Sequence, residues 1–266
     1  MSTDYRISSW ADLQEKLFSN TFDSKINRYR SPFIYRGMND SQKTLKTSLA
    51  RLGGDYAKLE RHLLRNFKKY AHTNVLSGQN NWNWLALAQH HGLPSRLLDW
   101  TYSPYVALHF ATNDLHSYQK DGVIWVLNYV KLNETLPIKL RKVINTEQSN
   151  TFTAEMLDSV CRTLDDLDSL DEEDFLLFLE PPSLDDRIVN QFALFSLLSN
   201  STRLLDDWLE DHDQYYDRII IPKEHKWEIR DKLDQANISE RVLFPGLDGL
   251  SMWLKRQYSS KQSEEE

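Results

Sequence analysis

Residues 89–111 read QHHGLPSRLLDWTYSPYVALHFA. The residues before this stretch, from about Trp82, have helical spacing, and the helix should stop near His91, where Gly92 and Pro94 follow. Pro104 stands at a first-turn position, opening a second helix through Val106, Leu108 and Phe110. Between them lies a short run dense in hydrogen-bonding groups, which reads as a polar turn. Working outward, residues 122–129 (GVIWVLNY) form the clearest strand, being aromatic and β-branched. Phe33, Ile34 and Tyr35 make a second β-favouring run, closed by Gly37. Helices are expected over 5–20, capped by Ser9, and over 55–76, with Leu59, Leu63, Phe67 and Tyr70 on one face. From 153 to 180 the chain reads as helical and acidic. Residues 187–198 (RIVNQFALFSLL) read as a strand, residues 218–222 (RIIIP) as another, and 223–235 as a helix ending near Asn237. No repeat and no Pro/Gly/Ser linker divides the chain. The expected fold class is therefore α+β, a single domain with a small, mostly antiparallel sheet flanked by helices. That domain covers 1–258, with a helical acidic insertion at 153–186 and a polar tail at 259–266.

Composition removes several function classes. With 8 Trp, 12 Tyr and 11 Phe in 266 residues, the chain is a folded protein rather than a disordered one. Its net charge of −7 weighs against a general nucleic-acid ligand or a membrane surface. Glycine is scarce, at 8 residues, and neither G-x-G-x-x-G nor a Walker loop occurs. The single cysteine, Cys161, excludes an internal disulfide and a cysteine zinc cluster, and its acidic surroundings should raise its pKa. There is no G-x-S-x-G and no H-E-x-x-H. The first six residues lack an apolar signal region and no run is long enough to span a bilayer, so a cytoplasmic location with no membrane partner is expected.

Three constellations can carry chemistry. In Tyr35-Arg36-Gly37, an arginine at a strand end beside a glycine can clamp phosphate, or it can pair with a structural carboxylate. In the central stretch, Trp100 and Tyr102 can stack on a flat ring, Arg96 and Asp99 can hold each other, and Asp99 or Thr101 can cap the next helix. His90 and His91 are adjacent and face different ways, with no third ligand at metal spacing, so no metal is expected. In the third, a strand would place Arg187, Val189 and Gln191 on one face, with Gln191 either satisfied in the core or reading a ligand. The DDLDSLDEED run at 165–174 reads as a solvated face, or as a surface for a basic partner together with the acidic 206–217 segment.

The chain resembles the FRG domain family, named for an aromatic-Arg-Gly signature. The match rests on FIYRG at 33–37, ALAQHHGLPSRLLDWTYSPYVALHFA at 86–111, RIVNQFALFSL at 187–197 and LFPGLDGLSMWL at 243–254. The resemblance implies a bacterial or phage protein, in some members linked to defence or toxin systems. The order of motifs is also similar to that of NAD-dependent ADP-ribosyltransferases. This second likeness implies that Arg36, with Tyr35 and Gly37, holds the NAD phosphates. It sets residues 99–104 (DWTYSP) in place of the family's Ser-Thr-Ser strand. It puts Gln191, or Glu180 upstream, where those enzymes carry a glutamate. The implied nucleotide contacts are then Tyr35, Arg36, Gly37, Arg96, Trp100, Thr101 and Arg187, and the implied catalytic set is His91, Asp99, Gln191 and Glu180. NAD is the implied substrate or ligand, for a transferase or a glycohydrolase. A non-catalytic nucleotide sensor and a protein-binding module are the alternatives.

Overall fold

Residues 97–101, expected as a polar turn, are instead a strand at the middle of the sheet. In this computed structural model, which describes residues 4–71, 79–183 and 185–260, Leu97–Thr101 pairs over its full length with a later strand. Its LLDWT sequence alternates: Leu97 faces one core, and Leu98 and Trp100 face the core on the other side. In chain order the strands are β1 (Asp4–Arg6), the small hairpin β2 (Phe22–Asp23) and β3 (Arg28–Tyr29), β4 (Phe33–Met38), β5 (Leu97–Thr101), β6 (Gly122–Asn128), β7 (Leu176–Leu179), β8 (Ala193–Leu198) and β9 (Tyr216–Ile221). Seven of them form one sheet in the order β1-β9-β6-β4-β5-β8-β7. Only β1 and β9 run parallel; every other neighbouring pair is antiparallel. The expected α+β class with a mainly antiparallel sheet is the one observed.

The principal helices are α1 (Trp10–Phe18), α2 (Tyr56–Ala71), α3 (Asn81–His90) and α4 (Pro104–Thr112). Ser9 caps α1 as expected, although the helix expected over 5–20 is shorter, because Asp4–Arg6 pair with β9 as strand β1; α3 is capped by Asn80, whose side chain accepts from the amides of Trp82 and Asn83. α3 ends where Gly92 takes a φ of +80°, a left-handed conformation that favours glycine. The cap of α4 is Ser103 rather than Asp99 or Thr101. The helix expected at 55–76 is seen to Ala71, and 72–76 lie outside the described residues, as do 261–266 of the polar tail. Residues 187–198 divide: Asp186–Asn190 is a short helix, Phe192 turns the chain at a φ of +47°, and only then does β8 begin. The expected shared strand face of Arg187, Val189 and Gln191 therefore does not exist. Nor is 153–186 wholly helical. Short helices at Ala154–Asp158 and Leu164–Asp168 lead into β7, whose four residues LLFL are all buried at the sheet edge.

Gly37 is where α4 meets the sheet. A Cβ built there would lie 1.7 Å from the Ala107 carbonyl oxygen and 2.9 Å from the Ala111 amide nitrogen. The aromatic-Arg-Gly glycine thus admits a helix, and Tyr35, Ala107, Leu108 and Ala111 share one core with Ile124 and Ile219.

Two buried ionic networks tie distant segments together. Arg96 is 4% exposed and does not pair with Asp99. Its guanidinium donates to Glu60, to Asp168 and to the Ser199 carbonyl. Burial works against the cation, but the two carboxylates more than offset it and raise its pKa. Near the C-terminus, Arg256 donates to Glu240 and Asp234, while Arg230 Nη1 donates to His109 Nδ1 at 2.7 Å. An arginine can only donate, so His109 is neutral, and burial holds its pKa well below 6.5. Cys161 is buried, and burial pushes its thiol up to about 11.

Three outcomes follow. Gly37→Ala should cost about 3 kcal/mol or more in denaturant unfolding, because backbone rather than a flexible side chain blocks the new methyl; Gly92→Ala, in open space, should cost about 1 kcal/mol. Glu60→Gln should cost about 3 kcal/mol by leaving part of a buried charge uncompensated. Stability should fall as pH drops below 6.5, since the unfolded His109 then takes up a proton that the native one refuses. His109→Gln should flatten that slope, as read from urea midpoints between pH 7 and pH 5.

Candidate functional site

Strand β4 pairs with β6 at six positions but with β5 at one, Tyr35 opposite Thr101. Beyond that pair the two strands part, and a cleft of about 520 Å³ opens between them. Arg36, Gly37, Asp99 and Thr101 line its base. The last turn of α3 supplies Gln89, His90 and His91, while Phe110 of α4 and Phe195 of β8 supply apolar walls. Arg187, Ile188 and Gln191 close the remaining side.

Arg36 reaches across the gap. Its Nη1 donates to the Asp99 backbone carbonyl at 2.5 Å, taking up an acceptor that no β4 amide meets. The Asp99 carboxylate lies at 3.9 Å, and the Arg36 side chain is 20% exposed. Arg36 Nε is buried with no partner. Burial lowers its pKa, with Asp99 acting in the opposite direction. The result is a desolvated cation with spare donor capacity, in contrast to Arg96.

Asp99 is oriented rather than buried. Gln89 Nε2 donates to both of its carboxylate oxygens, at 3.2 and 3.3 Å. Gln89 Oε1 in turn accepts from Ser95 Oγ at 2.8 Å. At the mouth, His90 Nε2 lies 2.6 Å from Asp185 Oδ2, and Asp185 also caps the helix Asp186–Asn190. Burial opposes the charge on Asp185, but the Ile188 amide and His90 outweigh it and hold the carboxyl below its usual range. His91 is exposed at the end of α3, its ring 5.2 Å from that of His90. Among the described residues no three His, Cys, Asp or Glu side chains converge to hold a metal.

Of the residues singled out from sequence, Arg36, Gly37, His91, Asp99, Thr101, Arg187 and Gln191 meet at this cleft. Several do not present the groups expected of them. Tyr35 borders the cleft but is 1% exposed, with its hydroxyl donating to the Leu17 carbonyl. Trp100 also borders it, yet its indole lies in the opposite core and donates to Ser196 Oγ. Neither can stack on a bound ring, and Tyr102 packs with Tyr129 in that same opposite core. Arg96 is absorbed in its buried network. Glu180 does not line the cleft; its carboxylate accepts from Thr151 Oγ1 at 2.5 Å. The Gln191 amide donates to the Leu243 carbonyl at 2.9 Å, and its own carbonyl accepts from Thr101 Oγ1 at 2.7 Å, so Gln191 fastens the C-terminal motif to the cleft. Arg187 stacks over Phe244 at 5.0 Å. The reading missed Gln89 and Phe110, which stand inside the quoted motif, and Asp185, which sits 95 residues from its partner His90 and carried no local signal.

No curated protein and no solved structure matches this chain. The FRG domain family model matches residues 31–120, the segment that runs from β4 through α4. The C-terminal half of the cleft, with Arg187 and Gln191, falls outside that match. Arg36, Gly37, Gln89, His90, His91 and Asp99 fall within it, so the segment that is similar to the FRG domain lines the base and one wall of the cleft.

Proposed function

We propose that the cleft binds a nucleotide of the NAD type and that the chain breaks its nicotinamide–ribose bond. The observation that carries this reading is Arg36: a desolvated guanidinium with an unpartnered Nε, standing where two strands part beside an oriented carboxylate. A diphosphate is the anion such a fork grips best. Asp99, with Gln89 holding it, then faces the ribose and supports the positive charge that develops as the bond breaks, as carboxylates do in glycoside cleavage. Phe110 provides the apolar surface for the nicotinamide ring, in place of Trp100 and Tyr35. The His90–Asp185 pair is placed to take a proton from water or an acceptor hydroxyl at the mouth. Consumption of a dinucleotide suits a defence or toxin role.

A second reading, a sensor that binds without turnover, draws support from one observation. Gln191 is tied to Leu243 through its side-chain nitrogen, and Glu180 lies outside the cleft with its carboxylate on Thr151. A partner surface on the acidic segments has less support. Asp165 and Asp168 pair with Arg61, Asp168 also with Arg96, and Asp174 and Asp211 with Arg203.

Melting curves with NAD, ADP-ribose and ATP, followed by a nicotinamide-release assay, separate these readings. A ligand at 100 times its dissociation constant adds ~2.7 kcal/mol of stability. NAD should raise the melting point, and Arg36→Ala should remove the effect while changing the stability of the free protein by no more than about 1 kcal/mol. Asp99→Asn should keep binding and lower nicotinamide release by roughly 100-fold or more. Binding without release in the native chain assigns the sensor. No shift with any nucleotide overturns both.

A further inference from the structure

A second cavity, of about 650 Å³, lies against β1, β9 and β6 beside the helix Leu205–Glu210. It is on the sheet face opposite α4, since Trp125 and Ile220 pack with Leu205 and Trp208 while Ile124 and Ile219 pack with Ala107. Three side chains on its wall each hold a buried polar atom without a hydrogen-bond partner among the described residues: Trp125 Nε1, Arg218 Nε and Asp206 Oδ1. Buried donors and acceptors in folded proteins are nearly always paired, so two donors and an acceptor around one cavity point to a group that meets them.

The placement narrows the chemistry. Trp125 and Arg218 stand opposite each other in the β6–β9 ladder, so the two donors come from adjacent strands. Trp125 is 5% exposed, and its ring already has the Arg218 guanidinium at 5.0 Å and the Tyr216 ring at 5.4 Å. The indole therefore offers its N–H edge and not a face for a flat base. The rest of the Arg218 guanidinium is engaged, by the Ser41 carbonyl at 2.9 Å and the Asp4 carboxylate at 3.2 Å. Asp206 brings an acceptor from the helix side, and burial raises its carboxyl above the ordinary range. The lining carries both signs of charge, with Arg6 paired to Asp121 at 2.6 Å and with Lys43 and Glu210 beside them.

We propose that this cavity binds a small zwitterion of the α-amino acid class, its carboxylate accepting from Trp125 Nε1–H and Arg218 Nε–H and its ammonium donating to Asp206 Oδ1. All three protein atoms are buried, so seating the ligand takes small side-chain rotations that turn them toward it. The site is separate from the cleft at Arg36 and stands whether or not that cleft binds a nucleotide.

Calorimetric titration of the full chain with each of the twenty free amino acids tests this, with acetate and methylamine as single-ended controls. At least one amino acid should bind at concentrations where neither control does. Trp125→Phe, which keeps a ring and removes the donor, and Asp206→Asn should each weaken that binding at least tenfold, and Arg36→Ala should leave it unchanged. Circular dichroism confirms that each variant is folded; if Asp206→Asn is not, Trp125→Phe decides. The proposal is overturned if no amino acid binds at millimolar concentration, which leaves a cavity filled by water alone, or if Trp125→Phe binds as the native chain does.

Discussion

Helix α4 rests on strand β4 with no side chain between them at Gly37, and the arrangement of the site follows from that contact. With the helix backbone against the strand, Phe110 is brought to the cleft and His109 to the C-terminal network. A larger residue at 37 would lift α4 away from the sheet and separate the two. The glycine of the aromatic-Arg-Gly signature is thus a packing requirement, and the arginine next to it borders the cleft. One short motif serves both ends because alternation along a strand sends neighbouring side chains in different directions.

The chain holds several arginines at or near its interior, and they differ in how completely each is paired. Arg96 and Arg256 each have two carboxylates and are saturated, and they join segments far apart in the chain. Among the described residues Arg36, Arg218 and Arg230 each keep an unpartnered Nε, and of these Arg36 and Arg218 stand beside a cavity. A buried guanidinium with unused donors is costly in the folded state, and the cost is recovered when an anion arrives. The ladder row Arg36–Trp125–Arg218 joins the linings of the two cavities across β4, β6 and β9.

Much of the secondary structure was legible. The Ser9 cap, Pro104 in the first turn of α4, Gly92 after α3 and the aromatic run of β6 are local signals, and each is met within a few residues. Strand β5 was not legible, because five residues between two helices, with Asp99 and Thr101 among them and Arg96 just before, have the composition of a turn. Their strand character comes from pairing with β8, about a hundred residues on. β7 was hidden for a similar reason. Its LLFL is an edge strand whose apolar character was submerged in the acidic run before it. Of the candidate site, Arg36, His91, Asp99 and Gln191 were named from sequence and do line one cleft, although Gln191 acts there as a fastener. Trp100 and Arg96 were misplaced by the same missed strand. Alternation along β5 turns the Trp100 indole to the far face, and Arg96, the residue before the strand, is drawn into the buried network with Glu60 and Asp168.

By itself the sequence determined the fold class, the Ser9 cap of α1, the stop of α3 at Gly92, the start of α4 at Pro104, and the motifs that gather most of the cleft. These rest on interactions within a few residues: caps, periodicity and the conformational limits of glycine and proline. Only the tertiary structure decided which arginine is free to bind. The partners that saturate Arg96 lie 36 and 72 residues away, and the parting of β4 from β5 that leaves Arg36 unsaturated is a property of the sheet. Local spacing carries no trace of either, because the pairing of a buried charge is settled by whichever segments the fold brings beside it.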